Sequence, residues 1–354
     1  MPLSRIRITA LRCLEQVELG LHPGCSYIFG PNGAGKTSIL EGIFLLGRGR
    51  SVRTRQIRRL VRHGTDGLAV YGEVAWQGRT QKLGVSYAAG RLEKKIDAAD
   101  AEGMGALAAL LPVHVIDPSI HQLVEGGPSE RRRFLDWGVF HVEHGYLEAW
   151  KRYRRVLSQR NAALKARASA AELRTWTLAL AEAGSAIDES RRRYVARLTV
   201  AVGEFGRRLL DQRIELDYRS GWRDGQTFTE ALLLAEPRDR LLGTSEVGPH
   251  RADLLLHLEQ RRVQDEASRG QQKLTAAALV LAQVEVGGAG DARRDVLLVD
   301  DPAAELDAGS LERLIAVLAG LPAQLVLTGL SARQLAPKAG FPVFHVERGE
   351  VRAL

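Results

Sequence analysis

The chain has 354 residues, 45% of them apolar, which is enough for two or three domains with cores of their own. No run approaches the eighteen or so apolar residues of a membrane span, and the N-terminus lacks the charged-then-apolar order of a secretion signal, so the expectation is a cytoplasmic protein with no membrane partner. Two cysteines, Cys13 and Cys25, are too few for a disulfide framework or a metal cluster, and both read as small buried apolar side chains. A formal charge of +8 suggests a polyanionic partner. Because 42 of the 50 basic residues are arginine, a bias that genome composition can produce, location says more than number. Between Glu130 and Gly225 there are 20 Lys+Arg against 13 Asp+Glu, nearly the whole surplus of the chain.

In chain order, Leu3 to Thr9 alternates as a strand, and Cys25 to Phe29 is a short buried strand after His22-Pro23-Gly24. Gly67 to Trp76 and Gln81 to Tyr87 alternate between glycine breaks, as antiparallel hairpins do. Leu111 to Pro118 is a strand with stops at both ends. At Gly126-Gly127-Pro128-Ser129-Glu130 the pattern turns helical for about ninety residues, with proline placed to start the first helix. Trp150, Tyr153, Leu157 and Leu164 share one helix face, as do Tyr194, Leu198, Phe205 and Leu209, which predicts two helices of some twenty residues, each about 30 Å long, able to pair antiparallel. Past Trp222 the α/β pattern returns. Asp295 to Asp300 is a nearly all-apolar strand of the kind buried in parallel sheets, Ser310 to Leu318 is helical, and Gln324 to Thr328 and Val343 to Val346 are strands.

Gly30, Pro31, Asn32, Gly33, Ala34, Gly35, Lys36 and Thr37 fit G-x-x-x-x-G-K-[ST] between a strand and the helix that continues through Ser38. A polyphosphate needs many donors at short range, and glycines let backbone N–H groups approach without a Cβ in the way. Lys36 then reaches the β- and γ-phosphates, Thr37 offers its hydroxyl to Mg²⁺, and the helix N-terminus favours the anion. A carboxylate at the end of a neighbouring strand is needed to hold the metal, and another group to orient water. Asp300, ending the apolar strand, is expected on the metal side, and Asp301 at the water.

Lys36 and Asp300 lie 264 positions apart, more than one compact P-loop domain needs. This split resembles the ATP-binding-cassette (ABC) class. Ser268-Arg269-Gly270-Gln271-Gln272 resembles the signature of that class, and Glu305-Leu306-Asp307 its D-loop. A serine before glycine and glutamines also suits the start of a capped helix. The resemblance implies that Ser268, Gly270 and Gln271 contact a nucleotide bound by a second protomer, with Ser268 and Asp307 at the interface.

The order of the P-loop, Gly126 to Asp136, Gly248-Pro249-His250-Arg251, the signature and the acidic pair is similar to the RecF family of bacterial recombination mediators. That resemblance spans essentially the whole chain. It implies an α/β, ABC-type head related to the SMC group and containing antiparallel sheet (1–120 and 229–354), with a helical second lobe (121–228). It implies ATP and Mg²⁺ as cofactors, ATP-dependent homodimerisation, slow DNA-stimulated ATP hydrolysis, and action with RecO and RecR in loading recombinase at single-strand gaps. The alternative is the ATPase subunit of an ABC transporter. Transporters carry a histidine where this chain reads Leu327-Thr328-Gly329, and a glutamate where it has Asp301. Gln122 is the nearest position for a Q-loop glutamine, and reads equally as a surface residue.

Arg131, Arg132, Arg133 and Arg191, Arg192, Arg193 are the expected DNA contacts. With few aromatics among them they suit phosphate-backbone contact rather than base stacking, and three successive residues span most of a helix turn, so only part of each triplet can face one ligand. His250 and Arg251 read as an interface or DNA contact, or as a hydrogen-bonded buried pair.

Overall fold

The computed structural model describes residues 3–54, 56–76, 78–288, 295–332 and 341–354. The chain forms two compact units, Met1–Ile120 with Gly287–Leu354, and His121–Val286.

In the first unit, β1 (Arg5–Leu11), β2 (Leu14–Gly20), β4 (Gly67–Trp76), β5 (Arg79–Ala88), β6 (Arg91–Ile96) and β7 (Ala99–Asp100) form an antiparallel sheet in the order β2-β1-β4-β5-β6-β7. Strict alternation in β1 sends Ile6 and Ile8 into the core and Arg5 and Arg7 outward. The second sheet runs β15-β14-β3-β13-β12-β8. Its members are β3 (Cys25–Phe29), β8 (Val113–Ile116), β12 (Val296–Val299), β13 (Gln324–Gly329), β14 (Val343–Glu347) and β15 (Glu350–Ala353). All pairings are parallel except β14 with β15. β3 therefore lies between β13 and β14, two strands from the far end of the chain. The four residues of β12 are fully buried, which is why their sequence is a continuous apolar run. Helix α1 (Lys36–Arg48) touches strands of both sheets, and its Ile39, Ile43 and Leu46 join the core that both sheets share. Helices α2 (Met104–Leu110) and α10 (Ala308–Leu318) complete the unit.

Cys25 is buried, and burial pushes its thiol up to about 11. Cys13 is exposed, contrary to expectation, because it sits in the turn between β1 and β2 rather than on the apolar face of either strand.

The second unit contains α3 (Gln122–Glu125), α4 (Pro128–Val142), α5 (Tyr146–Lys165), α6 (Ala170–Leu210), α7 (Phe228–Leu242), α8 (Val263–Glu266) and α9 (Arg269–Gly288), the last reaching its boundary. A small antiparallel sheet of β9 (Ile214–Arg219), β10 (Asp253–Leu258) and β11 (Arg261–Arg262) accompanies them. Pro128 starts α4 at its first turn, as expected. The unit runs well past the expected boundary at 228, because β10 pairs residue for residue with β9 and ties the later segment back.

The two expected twenty-residue helices are α5, of 20 residues, and α6, which has 41 and is about 60 Å long. No proline interrupts α6, and its buried stripe continues through Leu173, Leu180, Ile187, Tyr194, Leu198, Phe205 and Leu209. Gly184, which would weaken an exposed helix, is where α6 approaches Tyr153 and Phe228 too closely for a Cβ. The helix ends at Asp211, in left-handed conformation. Beneath it Arg160 is fully buried, donating to Asp239 (2.7 Å), Ser245 (2.6 Å) and Thr177 (3.1 Å).

Candidate nucleotide site

The loop after β3 turns through three glycines with positive φ, at Gly30, Gly33 and Gly35. Gly33 has open space where a Cβ would lie, and a Cβ on Gly30 would collide with the carbonyl of Val346. Among the described residues no side chain caps α1, so its first-turn N–H groups remain available to an anion. Lys36 is largely buried, with its ammonium donating to the carbonyls of Gly30 (2.7 Å) and Pro31 (3.0 Å). A loop of this geometry, with its cation inside it, is suited to cradle phosphates.

Parallel register between β3, β13 and β12 carries the acidic pair to this loop despite its distance in sequence. Thr37 Oγ1 donates to the carboxylate of Asp300 (2.9 and 3.1 Å to its two oxygens). Thr328, at the end of β13, donates to Asp300 Oδ1 (2.8 Å) and accepts the Asp301 N–H (3.0 Å). Asp301 is held in left-handed conformation (φ 44°), so its side chain diverges from that of Asp300. Among the described residues its buried Oδ1 has no hydrogen-bond partner. Burial raises its pKa, Lys36 opposes the rise, and the charge of Asp300 adds to it. A carboxylate of raised basicity with an unused oxygen is suited to accept a proton from water.

Arg53 reaches the same site, 3.7 Å from Asp300. Asp117, just past β8, has its pKa raised by burial; hydrogen bonds from Ser119 oppose this, and Asp300 adds a smaller rise. The donor set fits a divalent cation with a polyphosphate: one hydroxyl and one carboxylate oxygen side by side for the metal, N–H groups and an ammonium for the anion. Thr37 and Asp300 would hold Mg²⁺, and the loop from Gly30 to Ser38 the phosphates.

In the second unit Ser268 Oγ accepts the N–H of Gln271 (3.3 Å), and Gln271 Oε1 accepts the N–H of Ser268 (3.0 Å). The segment thus forms a reciprocal cap at the start of α9. Ser268 and Gly270 are exposed, so the cap leaves their surface open. Asp307 in the first unit caps α10 by accepting the Ser310 N–H (2.9 Å).

A family model described as the RecF/RecN/SMC N-terminal domain matches residues 2–349. The chain is 39% identical over 362 residues to the DNA replication and repair protein RecF of Thioalkalivibrio sulfidiphilus, covering 99% of each. It is 40% identical over 365 residues to that of Stenotrophomonas maltophilia, covering all of both. The chain belongs to the RecF family. A solved structure of the recombination mediator RecF with ATP, in the RecFOR pathway, has a TM-score of 0.89 at 25% identity, covering 99% of this chain and 97% of that one. An Smc head bound to the C-terminal winged helix of ScpA, at TM-score 0.62 and 14% identity, shares the fold. The ABC-type, SMC-related head expected from sequence is the fold observed, and membership of the RecF family sets aside the transporter alternative.

Of the arginines expected on DNA in this RecF-family chain, two are not available. Arg131 is buried, paired with Asp253 (2.8 Å) and donating to the carbonyls of Val124 and Gly126. Arg191 is buried, paired with Asp136 (2.7 Å) and donating to the carbonyl of Pro249. Each is the member of its triplet that faces inward on its helix, where a guanidinium must be matched by acceptors. Arg132 is half-buried and donates to the carbonyl of Ala252. Arg133, Arg192 and Arg193 are exposed, each beside a carboxylate: Glu130, Asp188 and Glu143. His250 is hydrogen-bonded to Tyr153 (2.6 Å) and the carbonyl of Ser245 (3.0 Å) within its own unit, whereas Arg251 is exposed and pairs with Glu246. Gln122 is exposed.

Sequence reasoning missed Thr328, Arg53 and the segment that carries Arg53. From Arg48 to Arg62 seven of fifteen residues are arginine, and no Asp or Glu occurs from Gly42 to Thr65. The signal in the sequence is the density of arginine over a short stretch without a neighbouring acid.

Proposed function

We propose that this chain is an ATP-dependent DNA-binding protein of recombinational repair and replication-fork maintenance. It acts in the cytoplasm as a homodimer that closes on DNA around two ATP molecules and reopens after slow, DNA-stimulated hydrolysis. With RecO and RecR it helps load recombinase at single-strand gaps. The observation that carries the reading is the joining of Thr37, Asp300 and Thr328 beside the P-loop, in a chain whose solved relative is described with ATP in the RecFOR pathway.

ATP supplies the γ-phosphate that distinguishes the two states, and Mg²⁺ the charge that neutralises it. Lys36 and the loop hold the phosphates, Asp300 and Thr37 the metal, and Asp301 accepts a proton from water. Ser268, Gly270 and Gln271 of one copy cover the γ-phosphate bound by the other, with Asp307 near the same interface. Loss of that phosphate removes the contacts across the interface, so dimer and monomer differ in nucleotide affinity.

Sedimentation with and without ATP tests this. Wild type should dimerise only with ATP, Lys36→Met should not dimerise, and Ser268→Arg should bind ATP as a monomer. An oligomeric state indifferent to ATP in the wild type would refute the switch.

A further inference from the structure

The arginine-rich segment after α1 is anchored at both ends of the first unit's antiparallel sheet and nucleotide site. At its start Ser51 hydrogen-bonds the buried Glu41, and Arg53 reaches toward Asp300. At its end the Arg12 N–H donates to the carbonyl of Leu60 (2.7 Å), the Arg62 N–H donates to that of Ala10 (2.9 Å), and Leu60 is fully buried. Between these anchors Ile57–Leu60 form one 3-10 turn. Its two outward residues are Arg58 and Arg59, both exposed. Among the described residues neither meets a carboxylate, whereas the three exposed arginines of the helical unit's triplets all do.

We propose that the Arg58–Arg59 turn docks the phosphate backbone of a nucleic acid. The inference rests on the DNA-binding reading above and names its place. Successive side chains in a 3-10 turn diverge by about 120°, so the pair spreads two guanidinium groups over neighbouring phosphates rather than crowding one. The turn is fixed by main-chain hydrogen bonds, so little ordering accompanies binding. No acidic residue occurs in the twenty-four positions from Gly42 to Thr65, so no neighbour in sequence neutralises the pair. No Phe, Tyr or Trp lies in residues 45–65, so the contact reads charge and spacing rather than bases.

The experiment is binding of the full chain with ATP to duplex, single-stranded and gapped DNA across a salt series. Wild type is compared with Arg58→Gln/Arg59→Gln, Arg58→Lys/Arg59→Lys and Arg192→Gln/Arg193→Gln. The glutamine pair at 58 and 59 should weaken binding roughly tenfold and make the salt slope shallower by about two. The lysine pair should keep the slope, and the pair at 192 and 193 should change little. Affinity for a fluorescent ATP analogue without DNA should equal that of wild type in all variants, which also verifies folding. Unchanged DNA affinity and slope in the glutamine pair, with wild-type binding intact, would overturn this site and leave the DNA reading standing. Absence of wild-type binding to every DNA at low salt, or preference for phosphatidylserine vesicles, would overturn both.

Discussion

Thr328 donates to Asp300 and accepts from the Asp301 N–H, so one fully buried hydroxyl sets the orientation of a carboxylate and the backbone turn of its neighbour. Hydrogen bonds to charged groups contribute about 1.5–3 kcal/mol each. Thr328→Val keeps the shape and loses both bonds; we expect Mg²⁺-dependent nucleotide affinity to fall about tenfold or more, with Mg²⁺-free affinity unchanged and Thr328→Ser restoring it. Titration of a fluorescent nucleotide with and without Mg²⁺ checks this, and equal losses in both conditions would reduce Thr328 to a packing residue. His250 carries a different dependence. Burial lowers its pKa below the ordinary value near 6.5, and Arg251 and Arg132 push the same way, against the Ser245 carbonyl and Asp239. The unfolded chain therefore binds this proton at higher pH than the folded one, so its stability contribution is lost as pH falls below about 6.5. Denaturation midpoints between pH 7 and 5 should fall more steeply in wild type than in His250→Gln. The P-loop residues were legible because their chemistry is contiguous. Thr328 was not, because its role follows from strand register, and Arg131 was misread because its partner Asp253 lies far along the chain.

Helices and strands were legible where one face repeats without interruption. β12 is recognisable from its apolar run alone, and α4 from the proline that starts it. The length of α6 was not, because the face read from Tyr194 to Leu209 covers only its second half, and the first half carries Gly184, whose close packing against Phe228 lies outside local sequence. Its union with α5 and α7 depends on Arg160. Removing one member of a buried ion pair leaves the other charge unmatched and costs about 3–5 kcal/mol. Arg160→Ala should destabilise the helical unit by that amount in urea denaturation, whereas Arg160→Met with Asp239→Leu should recover most of it. Equal losses in the single and double variants would place the cost in packing instead.

At the scale of the molecule, the dimer reading predicts complementation between defective copies. Lys36→Met and Ser268→Arg each spoil both sites of a homodimer. A mixed pair has one site with an intact loop from one copy and an intact signature from the other. Mixing the two variants should restore ATP-dependent dimers that neither forms alone, as read by cross-linking of differently tagged chains. Failure to do so, with both variants folded, would place the two motifs in separate functions. The two-unit division was legible from the distance between Lys36 and Asp300; its second boundary was not, since β9 and β10 pair across it.

The placement of β3 between β13 and β14 also bears on how the chain is made. β3 is synthesised within the first thirty residues, yet both of its neighbours come after residue 323. At roughly 5–20 residues per second the strand leading to the P-loop waits on the order of tens of seconds for its sheet, while the helical unit, contiguous in sequence, can fold first. During that interval an apolar strand with two open edges is exposed to the ribosome's surroundings. Limited proteolysis of stalled chains ending near residue 320 should cut the N-terminal segment and spare 121–286; protection of both would show that the head closes without its last strands.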